Sequence, residues 1–144
     1  MDTRATTILL AEDNPGDIRL TLEALKDIQL DDTLHVVRDG VEALAFLRQE
    51  GQCVTAPIPN LILLDLNMPK IDGYEVLTKI KSDQKLKRIP VVILTTSQAE
   101  QDIVRSYDLH ANCYVIKPVD LDRFIEVIKA ITEFWLAVVE LPKT

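Results

Sequence analysis

The sequence predicts an α/β fold, a doubly wound, five-stranded parallel sheet with helices on both faces. Three observations carry this. Five short apolar runs recur along the chain: TILLA (7–11), LHVV (34–37), LILL (61–64), VVIL (91–94) and CYVI (113–116). Helix-spaced stretches separate them in strict alternation, the pattern of a parallel sheet. The central run, LILL, shows no polar alternation, so it suits a strand buried on both faces.

Taken in order, the first run ends in the acidic cluster Glu12-Asp13-Asn14. A helix is expected over 16–28 with Ile18, Leu22 and Leu25 on one stripe, while Asp17 and Glu23 are polar positions facing elsewhere. After the strand at 34–37, a second helix over 40–49 repeats the pattern through Val41, Leu44, Ala45 and Leu47. Residues 51–60, with Pro57 and Pro59, form a loop. LILL runs directly into Asp65, and a third helix over 73–82 turns Val76, Leu77 and Ile80 inward. Pro90 precedes the fourth strand, which ends in Thr95-Thr96-Ser97. A weaker helix over 98–106 offers only Ile103, Val104 and Tyr107. The fifth strand closes at Lys117-Pro118, and a long final helix spans 121–139.

With 144 residues, 47% of them hydrophobic and 27% charged, the chain suits one domain with a proper core. The formal charge of −7 disfavours a nucleic-acid or anionic-membrane partner, since both need clustered positive charge. Work through a pocket or a protein-protein face remains. Cys53 and Cys113 have no metal-type spacing and are expected as buried thiols in a reducing cytosol. His35 and His110 stand alone and are expected to be structural. The five-residue apolar stretch near the N-terminus is too short for a signal peptide, and no run approaches the ~18 residues of a membrane span. A soluble, cytoplasmic protein is expected. The four glycines form no nucleotide-binding loop.

In an open parallel sheet, ligands bind beyond the carboxyl ends of the strands. Gathered there are Glu12 and Asp13, Asp65, Thr95 and Lys117. A single Asp at a strand end is more often a helix cap, but five such groups at one edge exceed what capping needs. Three close carboxylates repel one another unless a cation neutralises them. Only oxygen ligands are on offer, which selects a hard ion such as Mg²⁺. Metal, ammonium and hydroxyl together suit phosphoryl transfer, with a carboxylate nucleophile forming an aspartyl phosphate. Asp65 is the best acceptor because it is central, whereas Glu12 and Asp13 form an adjacent pair suited to the metal.

The motifs LLAEDN, LLDLNMPKIDG, LTTS and YVIKP resemble the receiver domains of two-component response regulators. Asp65 and Thr95 lie 30 positions apart, and Thr95 and Lys117 lie 22 apart, spacings typical of that family. The resemblance covers about residues 6–133 and implies a flavodoxin-like strand order, 2-1-3-4-5. It implies that Asp65 accepts phosphate from a histidine kinase. Asp13, Asp65 and the main-chain carbonyl of Asn67 would ligate Mg²⁺, Glu12 acting mostly through water. Thr95 and Lys117 would hold phosphoryl oxygens, Tyr114 would be the switch aromatic, and the Lys117-Pro118 peptide would be cis. Asn67 and Ser97 flank the site and would set the lifetime of the phosphate. The 52 positions from Asp13 to Asp65 exceed the spacing in compact members, and the 51–60 loop absorbs the excess.

RSYDLHANCY (105–114) and EFWLAVVELP (133–142) are further similar to small receivers paired with cyanobacterial phytochromes. That implies a phytochrome-type kinase, a single receiver over 1–144 with a helical extension over 134–142, and an unidentified downstream protein. Two other functions fit less well. A haloacid-dehalogenase-type phosphatase would need an acid where Asn67 stands, so no turnover of outside substrates is expected. A non-phosphorylated scaffold would not need the intact acidic set. On the final helix the apolar positions span about 200°, against the ~100° that one sheet face covers. Either an added core contact from the C-terminal tail or a homodimer through Val127, Ile131, Phe134, Trp135 and Val138 would cover the remainder, and the homodimer is the favoured expectation.

Overall fold

The computed structural model describes residues 7–27, 34–96 and 100–135. Strands β1 (Ile8–Ala11), β2 (Leu34–Val37), β3 (Leu61–Leu64), β4 (Val91–Thr95) and β5 (Cys113–Ile116) alternate with helices α1 (Pro15–Asp27), α2 (Gly40–Arg48), α3 (Gly73–Ser82), α4 (Glu100–Asp108) and α5 (Leu121–Glu133). All strand pairs are parallel, in the order β2-β1-β3-β4-β5. The doubly wound sheet expected from the apolar runs is the fold. Within the 51–60 loop, residues Gly51–Cys53 make a single 3-10 turn. Among the described residues, no helix is long and apolar enough to cross a membrane.

Alternate residues of each strand face opposite layers. Leu9, Ala11, Ile62, Leu64, Val91 and Ile93 pack against α2 and α3. Ile8, Leu10, Leu61, Leu63, Val92 and Leu94 pack against α1 and α5. The register places Ala11 beside both Val37 and Leu64, so the carboxyl ends of the three strands are level.

Helix starts are defined by short polar side chains that accept the otherwise orphaned N–H groups. Asn14 Oδ1 accepts from Asp17 N, with Pro15 at the first helical position. Asp39, Asp72 and Asp120 cap α2, α3 and α5 by accepting from Glu42 N, Glu75 N and Arg123 N. Glycine is required at two of these starts by close approach. A Cβ on Gly40 would lie 2.0 Å from the Ile71 carbonyl oxygen, and one on Gly73 would lie 2.4 Å from that of Asp65.

Three helices turn a different face inward than hydrophobicity alone predicts. In α1 the buried residues are Ile18, Thr21, Ala24 and Leu25, with Leu22 exposed. In α2, Ala43, Leu44, Phe46 and Leu47 are buried and Val41 is exposed. In α4 only Ser106 is buried, while Val104 and Tyr107 lie open. Small side chains at Thr21, Ala24, Ala43 and Ser106 let a helix sit close to the sheet, which moves larger apolar residues to the flank. The inward face of α3 is the expected Val76, Leu77 and Ile80. His35 lies against the Phe46 ring at 5.4 Å between centroids. Cys53 and Cys113 are free thiols, half-buried rather than buried.

Candidate phosphoryl and metal site

The parallel ladder extends one residue past the strands and fixes the backbone of the site. Glu12 N donates to Val37 O (2.9 Å), Asp65 N to Ala11 O (3.0 Å) and Lys117 N to Thr95 O (2.7 Å). Each functional residue thus begins where its strand stops. Glu12, Asp65, Thr95 and Lys117 are all buried, with Thr95 fully so, and Asp13 is exposed.

Lys117 lies at the centre. Its Nζ donates to Glu12 Oε1, to Asp17 Oδ2 at 2.8 Å and to Asp65 Oδ2 at 3.0 Å. The other Asp65 oxygen accepts from Asn67 N at 3.1 Å, and Asn67 Nδ2 lies 3.5 Å from Thr95 Oγ1. Glu12 Oε2 accepts from Asn14 N at 3.2 Å. Burial pushes the Glu12 carboxyl up to about 7; the Lys117 ammonium opposes that rise and the charge of Asp65 adds to it. For Lys117, burial alone favours the neutral amine. Hydrogen bonds to Asp17 and Glu12 and the charge of Asp65 outweigh it and raise the ammonium above its ordinary value.

Glu12, Asp13 and Asp65 each offer an oxygen, and these lie within 4.8 Å of one another. The donor set fits a hard divalent cation, which takes carboxylate oxygens and relieves their repulsion. Every strand-end residue expected at this edge is found there.

Asp17, expected as a polar position facing away from the apolar stripe of α1, bonds Lys117 and is the site residue missed by sequence reasoning. Its helical stripe gave no signal; only its place in the first turn after the acidic cluster hints at the site. The Lys117-Pro118 peptide is trans, not cis. Lys117 reaches its carboxylates from the trans bond, so the usual trans preference of ~0.5–1 kcal/mol is unopposed. Ser97 lies outside the described residues.

Tyr114 on β5 is half-buried against the α2–α3 layer, and its N–H donates to Tyr107 Oη at 3.2 Å. Ile131 on α5 and Trp135 just beyond it pack against the α1–α5 core, and Val127 is half-buried. Phe134 stays 51% exposed, edge-on to Trp135. The expected uncovered apolar arc is therefore narrower here, because Ile131 and Trp135 are spent partly on the core. Beyond Trp135, the remainder of the expected helix and Val138 lie outside the described residues.

A doubly wound sheet with an acidic divalent-cation pocket beside a buried lysine defines a class of phosphoryl-handling signalling domain. The chain belongs to the response regulator receiver domain family, matched over residues 8–129. It is 52% identical over 135 residues to response regulator Rcp1 of Synechocystis sp., covering 94% of this chain and 92% of that one. It is similar to the structure of the phosphorylated cyanobacterial phytochrome response regulator RcpA, with 54% identity and a TM-score of 0.93 over 96% of this chain and 99% of that one. The Mn²⁺-bound form of Rcp1 is likewise similar, with 51% identity and a TM-score of 0.91 over 96% and 99%. The chain is thus a response regulator whose receiver accepts a phosphoryl group.

Proposed function

We propose that Asp65 is the phosphoacceptor, taking the phosphoryl group of a phosphohistidine on a phytochrome-type histidine kinase in the cytoplasm. The observation that carries this is the Lys117 ammonium, buried and 3.0 Å from Asp65 Oδ2 at the carboxyl edge of the sheet. An Asp65 carboxylate oxygen forms a bond to phosphorus as the P–N bond breaks, and the histidine nitrogen leaves with the electron pair. Lys117 and Thr95 bind phosphoryl oxygens. Glu12, Asp13, Asp65 and the Asn67 main-chain carbonyl would hold Mg²⁺, Glu12 mostly through water. Bound Mg²⁺ supplies charge neutralisation for the transferring group.

The signal then leaves through altered protein contacts. Tyr114 turns inward as the Thr95 hydroxyl engages the phosphoryl group, and this changes the neighbouring face. A homodimer forms through Val127, Ile131, Phe134, Trp135 and Val138, supported by exposed Phe134 at the end of α5. The receiver match covers residues 8–129, and the kinase partner is supported by the likeness to RcpA.

With phosphoramidate and Mg²⁺, the wild type should gain one acid-labile phosphoryl group and Asp65→Asn none. Undiminished labelling of Asp65→Asn would place the acceptor elsewhere. Light-dependent transfer from a phytochrome kinase tests the donor, and light scattering of wild type against Trp135→Glu tests the dimer.

A further inference from the structure

Lys117 has three ammonium hydrogens and three carboxylate partners: Glu12, Asp17 and Asp65. Two of these belong to the acidic cluster that fits a cation, and Asp17 does not. A bound cation would compete with the ammonium for the charge of Glu12 and Asp65, and phosphorylation would put phosphoryl oxygens in place of the Asp65 carboxylate. Asp17 is the partner that neither event consumes.

Its main chain is held independently of Lys117. Asp17 N donates to Asn14 Oδ1 (3.1 Å), and its carbonyl accepts from Thr21 Oγ1 (2.8 Å). It lies in the first turn of α1, where the helix dipole favours a carboxylate. The Asp17–Lys117 pair spans 100 residues of chain and ties the segment after β5 to α1. Lys129 and Asp27 make a second ion pair, at 3.0 Å, between α5 and the far end of α1.

Resting on the assignment of Asp65 as phosphoacceptor, we infer that Asp17 is a positioning residue that keeps the Lys117 ammonium aimed at Asp65, and then at its phosphoryl oxygens, while the cation draws on the charge of Glu12 and Asp65. It touches no reacting atom; it acts through Lys117.

The test compares wild type, Asp17→Asn, Asp17→Glu, Lys117→Ala and the double variant Asp17→Asn/Lys117→Ala. Asp17→Asn should slow labelling by phosphoramidate about tenfold while moving the Mg²⁺ dissociation constant less than threefold. Asp17→Glu should restore most of the rate. The double variant should label no more slowly than Lys117→Ala, because both changes remove one device.

A second readout needs no variant. In wild type, the proton Overhauser contact between the Lys117 ε-methylene and the Asp17 β-methylene should survive addition of Mg²⁺ and beryllofluoride. Loss of that contact, wild-type labelling by Asp17→Asn, or full additivity in the double variant would each overturn the inference. Absence of labelling and of beryllofluoride binding in wild type would instead overturn the assignment of Asp65.

Discussion

In β1, β3 and β4 every residue is buried, whereas in β5 Cys113, Tyr114 and Val115 are half-buried and Ile116 is 38% exposed. The helices differ in the same way. On α3, Val76, Leu77 and Ile80 are all buried, while on neighbouring α4 Ser106 is the one buried residue. The strands that carry Glu12, Asp65 and Thr95 are therefore clamped by apolar packing from both layers. The edge formed by β5 and α4 packs more thinly on the two cores and adds polar contacts: the Tyr107 hydroxyl on the Tyr114 amide and the Arg105 guanidinium 4.0 Å over the Tyr74 ring. Segments with few buried apolar contacts open at low free energy. The strands that bear Glu12, Asp65 and Thr95 are the more deeply packed, and the β5–α4 edge that leads to Lys117 is the less so.

The largest expected effect lies at the centre. Leu63 on β3 is fully buried, so Leu63→Ala should cost about 3–5 kcal/mol in a denaturant titration. A loss below about 1 kcal/mol would show a centre able to collapse around the cavity and would dissolve the contrast. Gly73→Ala comes next, at about 2–3 kcal/mol. Its new Cβ would meet the Asp65 carbonyl oxygen at 2.4 Å and Leu66 Cα at 2.6 Å, both backbone atoms. Because the collision falls on Asp65 itself, phosphoramidate labelling should slow as well. Unchanged labelling would show that the acceptor tolerates a shift of its own main chain.

A smaller effect belongs to the Asp39 cap of α2. Its carboxyl is held below the ordinary value, first by the hydrogen bond from Glu42 N and further by Lys70 at 3.3 Å. A lowered folded value means the carboxylate stabilises the fold above the ordinary carboxyl range, and that stability is lost as pH falls through the folded value. Asp39→Ala should cost about 1 kcal/mol at neutral pH, with the difference from wild type shrinking in acid. A difference constant down to pH 2–3, the lower end of the usual carboxyl range, would show that the cap acts without its charge.

How far the sequence discloses each half follows from the same packing. Glu12, Asp65 and Lys117 are legible because each ends an apolar run, and strands of a parallel sheet finish on one edge. Asp17 is not, since its partner Lys117 is 100 residues away and no local pattern announces a tertiary ion pair. The inward faces of α1 and α2 are illegible for a related reason. Thr21, Ala24 and Ala43 carry little hydrophobic signal, yet their small size is what brings the helices against the sheet. On α4 most of the signal points outward, because Val104 and Tyr107 are apolar residues left on the surface and Ile103 is half-buried.

The smallest expected effect separates local from global stability at that edge. Tyr107→Phe removes the hydroxyl that accepts from Tyr114 N and leaves the ring in place. Tyr107 is 49% exposed, so water can replace the lost acceptor and global stability should change by less than about 0.5 kcal/mol. Local opening is another matter: hydrogen exchange at the Tyr114 amide should quicken severalfold while exchange at Leu63 stays as it was. Equal acceleration at both amides would mean that β5 opens only with the whole sheet. The edge would then lack the independence that lets it respond to a phosphoryl group arriving on Asp65.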